Sequence, residues 1–278
     1  MRINHNIAAL NTYRQFNNAN NAQSKSMEKL SSGQRINSAA DDAAGLAISE
    51  KMRGQIRGLD EAARNSQDGI SLIQTAEGAL NETNDILQRM RELTVQAGNG
   101  TNQSEDLSAI QDEMKALIEE IGGEGTSKGI SDRTQFNGKN LLNGDFATTG
   151  IKLQIGANAD QNIDLNISDM SASALGVSSI DVSSGFSFDS AVALIDSAIN
   201  AVSSQRSGLG ATQNRLEHTI NNLSTASENL TASESRIRDV DMAKEMMEQT
   251  KNSILSQASQ AMLAQANQQP QGVLQLLR

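Results

Sequence analysis

The stretch IDSAINAVSSQRSGLGATQNRLEHTINNLSTASENLTASESRIRDV, residues 195–240, decides the fold more than any other part of the chain. Large aliphatic residues recur in it every seven positions: Ile195, Val202, Leu209, Leu216, Leu223, Leu230 and Ile237. The residues three positions after these are mostly small: Ala198, Gln205, Thr212, Thr219, Ala226, Ser233 and Val240. A heptad pattern of this length predicts a long helix in coiled-coil-like packing, and the small second position lets a partner helix approach closely.

Two further segments are predicted to be helical. The first follows Asp41 and Asp42, which favour a helix start, and it ends before Gly98. Its apolar residues largely keep a spacing of three and four, and a helix this long needs packing partners along its whole length. Residues 104–121 predict a shorter helix, which the Gly-rich run GGEGTSKG ends.

The middle of the chain has a different pattern. Residues 151–155 and 163–167 each alternate apolar with polar residues around the turn-forming segment GANADQN, which predicts a β-hairpin. Residues 171–187 are rich in Ser and Gly and are predicted to form a loop.

The heptad pattern changes at residues 239–241. Beyond this point Lys244 and Lys251 occupy the heptad positions that hold large aliphatic residues before it, and the large apolar residues shift to another stripe of the helix. A rotated apolar stripe must pack against different partners, so the sequence predicts a domain boundary here.

Composition excludes several classes of protein. The net charge of −10 argues against nucleic acid as a partner, because phosphate binding needs clustered Lys and Arg. Aromatic residues make up 2% of the chain and there is one Pro, which suits long helices better than an enzyme core. There is no Cys, so disulfides and thiolate sites are impossible. We expect no membrane insertion, because no run of about 18 apolar residues is present. We expect no secretory signal peptide, because the N-terminal residues contain no continuous apolar region.

No pattern of residues predicts an enzyme. The two histidines, His5 and His218, lie far apart and neither belongs to a metal-binding motif. Asp41 and Asp42 are better explained as helix-capping residues than as a carboxylate pair. We therefore predict no catalytic residues, no metal site and no cofactor.

The two ends of the chain predict self-assembly. Residues 252–277 contain no charged residue, although a fifth of the chain is charged, and their apolar residues lie on more than one side of a helix. A helix apolar on several sides is buried on several sides. The two ends can pair and still leave apolar surface over, and repeated head-to-tail contacts between copies generate an open helical polymer. The predicted assembly residues are Ile3, Ile7, Leu10, Met247, Ile254, Leu255, Ala261, Met262, Leu263, Leu276 and Leu277.

Long motifs in both halves of the chain resemble the flagellins. They are MRINHNIAALNT, KLSSGQRINSAADDAAGLAISEKMRGQIRGL, NSQDGISLIQTAEGAL and QRMRELTVQA in the first half, and SQRSGLGATQNRLEHTINNL, ENLTASESRIRDVDMAKEM and ILSQASQAMLAQANQQPQGVLQLLR in the second. The resemblance covers residues 1 to about 140 and about 190 to 278.

The resemblance implies a mainly α fold: a long antiparallel helical coiled-coil bundle with a small β-hairpin region and paired terminal helices. Residues 1–42 and 239–278 would form an inner domain of terminal helices. Residues 43–137 and 189–238 would form a helical core domain, and residues 138–188 a short central region. The chain is thus similar to a short flagellin without large outer domains.

The resemblance also implies a function, a location and partners. The chain would be a structural subunit that polymerises with itself into the extracellular filament of the bacterial flagellum, for swimming motility. Its partners would be the flagellar cap and hook–filament junction proteins and a flagellin export chaperone, with export through the flagellar type III apparatus. Arg89, Leu93 and Glu113 match the positions that contact the Toll-like receptor for flagellin, and residues 29–50 resemble the epitope sensed by plants.

Other functions are weaker hypotheses. A hook–filament junction protein has ends similar to those of flagellin, but the match through both long helices favours the filament subunit. A membrane-active amphipathic helix needs a basic polar face, which residues 252–277 lack.

Overall fold

A computed structural model describes residues 6–122, 128–183 and 187–276, with side chains as far as residue 268. Its helices are α1 (Ile7–Ser32), α2 (Ala43–Ala97), α3 (Ser104–Ile121), α4 (Ile130–Arg133), α5 (Phe188–Arg238) and α6 (Met242–Leu276). The strands are β1 (Gln135–Phe136), β2 (Lys139–Asn140), β3 (Ile151–Gln154) and β4 (Asn162–Leu165), paired as two antiparallel hairpins.

The chain forms two compact units. The terminal unit consists of Met1–Ile56 and Glu228–Arg278, and the central unit consists of Arg57–Ser227. The division falls inside α2 and inside α5, so each of these helices contributes residues to both units.

In the terminal unit, α1 and α6 run antiparallel. The contacts between them are Asn6 with Ala266, Asn20 with Ser256 and Met27 with Gln249. Residue numbers therefore increase along α1 while those of the contacted residues on α6 decrease. The described apolar side chains that are buried in this unit are few, namely Ala19, Ile36 and Ala266. The pair therefore has almost no hydrophobic core of its own.

Two breaks in the helices lie beside each other in the terminal unit. The segment after α1 forms a β-bridge from Gln34 to Asp239, at the break between α5 and α6. The buried side chain of Arg238 donates from Nε to Gln34 Oε1 over 3.1 Å and from Nη1 to Glu50 Oε1 over 2.7 Å. Asp241 then caps α6, because its Oδ1 accepts from the backbone N–H of Ala243 and of Lys244.

The central unit contains the hydrophobic core. Helices α2 and α5 are antiparallel here, since Arg91 pairs with Asp196 while Glu77 pairs with Arg206. The predicted heptad residues Ile195, Val202, Leu209 and Leu216 are buried against apolar residues of α2 and α3. The segment predicted to be a loop adds five buried side chains to this core, from Ala172, Leu175, Val177, Ile180 and Val182.

The β3–β4 hairpin packs against α2 within the central unit. Ile151 pairs with Leu165 and Leu153 pairs with Ile163, which places the alternating apolar residues on one face. Gly69 of α2 allows the close approach, because a Cβ atom at this position would lie 2.7 Å from Cδ1 of Leu153.

The predicted fold class is confirmed. Helices α2 and α3 have the expected bounds, α5 covers the heptad segment, and β3–β4 is the predicted hairpin. Asp42 is confirmed as a cap, since its Oδ1 accepts from the N–H of Gly45 over 2.9 Å. The β1–β2 hairpin was not predicted, although its Asn137–Gly138 turn, with both φ angles positive, is a known hairpin signal.

Candidate interaction surfaces

The contact between α1 and α6 is made mostly of small and polar side chains. Buried and half-buried positions recur at spacings of three and four on both helices. On α1 the series with these spacings is Ala9, Thr12, Phe16, Ala19, Gln23, Ser26 and Leu30, and on α6 it is Gln249, Asn252, Ser256, Ser259, Leu263 and Ala266; Asn6, Asn20, Ala22, Lys29, Glu245 and Ser253 are half-buried beside it. We call these residues the polar seam.

Hydrogen bonds join the two helices along the polar seam. Asn6 Nδ2 donates to the carbonyl oxygen of Ala266 over 2.8 Å, and Ser256 Oγ donates to Asn20 Oδ1 over 2.8 Å. A hydrogen bond of this kind contributes only about 0.5–1.5 kcal/mol net, because both groups can bond to water instead. The seam therefore fixes which faces meet more than it stabilises the pair.

Most large apolar side chains of this pair point away from the seam; Phe16, Leu30 and Leu263 are the exceptions among the described side chains. Ile7 and Leu10 of α1 are 70% and 69% exposed, and Met247 and Ile254 of α6 are 68% and 61% exposed. Leu255 and Met262 are also exposed. We call these six residues the outer apolar set. The terminal helix pair thus reverses the usual amphipathic arrangement, in which apolar side chains face the partner helix.

The outer apolar set covers two sides of α6. Met247, Ile254 and Ala261 are seven residues apart, so they form a stripe, and the positions of the seam place this stripe on the side away from α1. Leu255 and Met262, also seven apart, lie on a flank of the helix. Water is thus in contact with apolar residues on more than one side of α6.

The structure places most of the predicted assembly residues on this surface. Ile7, Leu10, Met247, Ile254, Leu255, Ala261 and Met262 are exposed. Leu263 instead is half-buried in the polar seam. Ile3 and Leu277 lie outside the described residues, as does the side chain of Leu276.

Several exposed apolar residues of the terminal helices were not among those predicted. Tyr13, Met27, Met242 and Met246 are each at least 47% exposed. They lie off the stripes on which the prediction was based, so the periodicity gave no signal for them. These residues could have been found by listing every large apolar residue of the terminal helices that lies off the spacing of the polar seam.

The predicted receptor residues form an ion-pair cluster above a buried leucine. Arg89 donates to Glu113 Oε1 from Nε over 3.0 Å and from Nη2 over 2.9 Å, and its Nη1 donates to Glu92 over 3.1 Å. The hydrogen bond to Glu113 is the main cause that raises the pKa of Arg89 above its ordinary value. Arg89 and Glu113 are about half exposed, whereas Leu93 is 1% exposed and belongs to the core.

The position of Leu93 separates it from its two neighbours. Arg89 and Glu113 can meet a partner directly, while Leu93 supports the helices beneath them. Glu92 is the third member of the cluster and was not predicted, although its position three residues after Arg89 on a helix is a recognised signal for an ion pair.

The described residues contain no cluster of metal-ligating side chains. Within residues 6–122, 128–183 and 187–276, no three His, Asp or Glu side chains come together as metal ligands. His218 is exposed on α5, and His5 lies outside the described residues. None of the described helices is both long and apolar enough to span a membrane.

Comparison with known families accounts for most of the chain. A family model described as the bacterial flagellin N-terminal helical region matches residues 3–147, and one described as the flagellin C-terminal helical region matches residues 192–277. The chain belongs to the flagellin family.

Individual flagellins are similar over their full length. The chain is 62% identical over 310 residues to a flagellin of Bacillus subtilis (strain 168), and 60% identical over 280 residues to one of Halalkalibacterium halodurans, with all of each chain covered. It is 50% identical over 292 residues to the flagellar filament 33 kDa core protein of Treponema phagedenis, again with full coverage. The crystal structure of Bacillus cereus flagellin is similar at 30% identity and a TM-score of 0.50, covering 62% of this flagellin chain and 94% of that one.

Proposed function

We propose that this chain is a structural subunit of the bacterial flagellar filament, which lies outside the cell, and that copies pack through the outer apolar set. The observation that carries this proposal is the reversed terminal helix pair, with its polar seam inside and most of its large apolar residues outside. Full-length identity to flagellins and to a filament core protein supports the same function.

The physical argument concerns what must cover the outer apolar set. Leaving a Leu, Ile or Met side chain in water forgoes about 1.5–3 kcal/mol relative to burying it. Large exposed apolar patches on a protein therefore mark interaction sites. Another copy of the same chain presents the same surfaces, and heterologous contacts between copies generate a filament. The relatives described above favour the filament subunit over a hook–filament junction protein.

The proposal gives the chain a structural role and no catalytic one, with no cofactor. Its partners are first other copies of itself. We further propose the cap and junction proteins at the two ends of a filament, and an export chaperone for the type III apparatus, as partners; membership of the flagellin family supports this. The motility of the cell depends on the polymer rather than on the single chain.

Recognition by the Toll-like receptor for flagellin belongs to the same proposal. Arg89 and Glu113 offer charged groups that are already paired and about half exposed, so a receptor can bind them through charge-assisted hydrogen bonds. Leu93 contributes by holding α2 against the core and not by direct contact.

A charge placed in the outer apolar set tests the assembly surface. We expect Ile254→Asp to prevent filament formation, measured as the protein that sediments, because burying a carboxylate between copies without a partner is costly. The matched control is Thr148→Asp, which adds the same charge at an exposed position between β2 and β3. The result that contradicts the proposal is normal filament yield from Ile254→Asp, or an equal loss of assembly in both variants.

A further inference from the structure

Most of the described methionines fall into two groups, buried in the central unit or exposed in the terminal unit. Met90, Met114 and Met170 are buried in the core of the central unit. Met52 of α2, in the terminal unit, is half-buried. Among the residues that the structure describes, the exposed methionines all lie in the terminal helix pair: Met27, Met242, Met246, Met247 and Met262. Each of these five is at least 47% exposed. We call them the exposed methionine set.

Three of the exposed methionines lie along one side of the terminal helix pair. Met246 follows Met242 by four residues and precedes Gln249 by three. The side chains of Met242, Met246 and Gln249 therefore lie on one side of α6. Gln249 Nε2 donates to the sulfur of Met27 on α1 over 3.8 Å, which brings Met27 to the same side. The other two, Met247 and Met262, belong to the outer apolar set.

We propose that the exposed methionine set is an oxidation site that controls assembly. The thioether sulfur attacks one oxygen of hydrogen peroxide, so an S–O bond forms while the O–O bond breaks. The sulfur is oxidised by two electrons and the peroxide is reduced. The second oxygen leaves as hydroxide and takes up the proton that the new S–OH group loses, which gives water. The product is methionine sulfoxide, which is polar and can be reduced back to the thioether by a thiol-dependent reductase. The chain contains no Cys that would react first.

The consequence for assembly follows from the chemistry of the sulfoxide, and this step rests on the proposed function. A thioether packs as a flexible apolar group against irregular surfaces. A sulfoxide oxygen is a strong hydrogen-bond acceptor, and burying it between copies without a donor is costly. Met247 and Met262 belong to the outer apolar set, so oxidised subunits assemble only at a higher concentration. Subunits already in a filament have these two sulfur atoms covered, and the two residues then react slowly.

The first measurement is the order of oxidation in the monomer. We treat the full chain with hydrogen peroxide and follow the sulfoxide at each Met by peptide mass spectrometry. We expect the exposed methionine set to oxidise about tenfold or more faster than Met90, Met114 and Met170, which are the internal controls. Equal rates in the two groups would overturn the proposal.

The second measurement is assembly of the oxidised chain. We expect its critical concentration for sedimentable filaments to rise about tenfold, and treatment with methionine sulfoxide reductases A and B and dithiothreitol to restore it. Normal assembly of a chain that carries sulfoxide throughout the set overturns the proposal.

A matched pair of variants locates the effect. One replaces each member of the exposed methionine set by Leu, which keeps the apolar volume and cannot be oxidised, and we expect its assembly to resist peroxide. The control carries Met90→Leu, Met114→Leu and Met170→Leu, and we expect it to stay sensitive; circular dichroism establishes that both variants are folded. Peroxide sensitivity that persists in the first variant overturns the proposal.

These measurements also distinguish a failure of the oxidation proposal from a failure of the proposed filament function. If the untreated chain forms no filaments, the filament function fails, and the order of oxidation still decides whether these five residues are the reactive site. If untreated filaments form but Met247 and Met262 oxidise as fast in filaments as in monomer, copies do not cover these two residues, and control of assembly by their oxidation is excluded.

Discussion

Single residues at the helix ends and in the ion pairs have roles that their hydrogen bonds define. Asp41 is an example, because its Oδ2 accepts from the backbone N–H groups of Asn37 and Ser38 and from the hydroxyl of Ser38. These bonds, with the N–H of Ser38 first, lower the pKa of Asp41 below its ordinary value. The turn that leads into α2 thus depends on an ionised carboxylate.

The sign of the pH dependence follows from that lowered pKa. A carboxyl whose pKa is lower in the folded state stabilises the fold above its unfolded pKa, and this contribution is lost as the pH falls through the folded pKa. We expect Asp41→Asn to have a lower urea midpoint than the parent chain at pH 7. The difference between the two midpoints should become smaller as the pH falls toward 3. Urea titrations of both chains at several pH values test this, and a difference that stays constant with pH would contradict it.

Arg89 and Leu93 should differ in how they affect the molecule. Leu93→Ala leaves a cavity in the core and is expected to cost about 2–5 kcal/mol of unfolding free energy. Arg89→Ala removes a partly exposed ion pair, which contributes little to stability because water screens it. We expect both to weaken receptor binding, but only Leu93→Ala to lower the thermal midpoint by many degrees. An unchanged midpoint in Leu93→Ala would show that the side chain is not packed as described.

Whole elements show which parts of the fold can be predicted from sequence. The long helices α2 and α5 were predictable because capping residues and heptads act locally and repeat. The burial of Leu93 was not, because a helix of this length has several faces and periodicity alone does not show which of them lies innermost. The polar seam was also missed, since small polar side chains such as Ser256 and Asn252 carry no amphipathic signal.

The polar seam leads to a prediction about the free monomer. Residues 1–35 and 245–278 should exchange amide hydrogens fast, because the seam contributes too little to offset an ordering cost of about 1–2 kcal/mol per residue. Asn252→Leu puts an apolar side chain at a buried seam position, so we expect it to slow exchange in α6 by about tenfold.

The control for this experiment is Gln257→Leu, which makes the same kind of change at an exposed position of α6. It should leave exchange nearly unchanged in the monomer. Strong protection of α6 in the parent monomer would show that the pair is stable alone, and equal slowing in both variants would show that the seam is not the contact.

At the scale of the whole molecule, stability and assembly are assigned to different units. The hydrophobic core cluster lies entirely within the central unit, from Ile70 to Leu216. The terminal unit has few buried apolar residues but carries most of the large exposed ones. A subunit built this way can fold its core alone and gain the order of its ends from its neighbours.

Removal of residues 245–278 tests this division. We expect the truncated chain to remain folded and largely helical, with a cooperative thermal transition, because the deletion removes none of the core cluster. It should stay in the supernatant under conditions in which the full chain forms filaments, since most of the outer apolar set is gone. Mixing it with the full chain supplies a further check, because a chain without α6 should not be carried into the pellet. Filaments of normal geometry from the truncated chain would show that assembly is carried by the central unit instead.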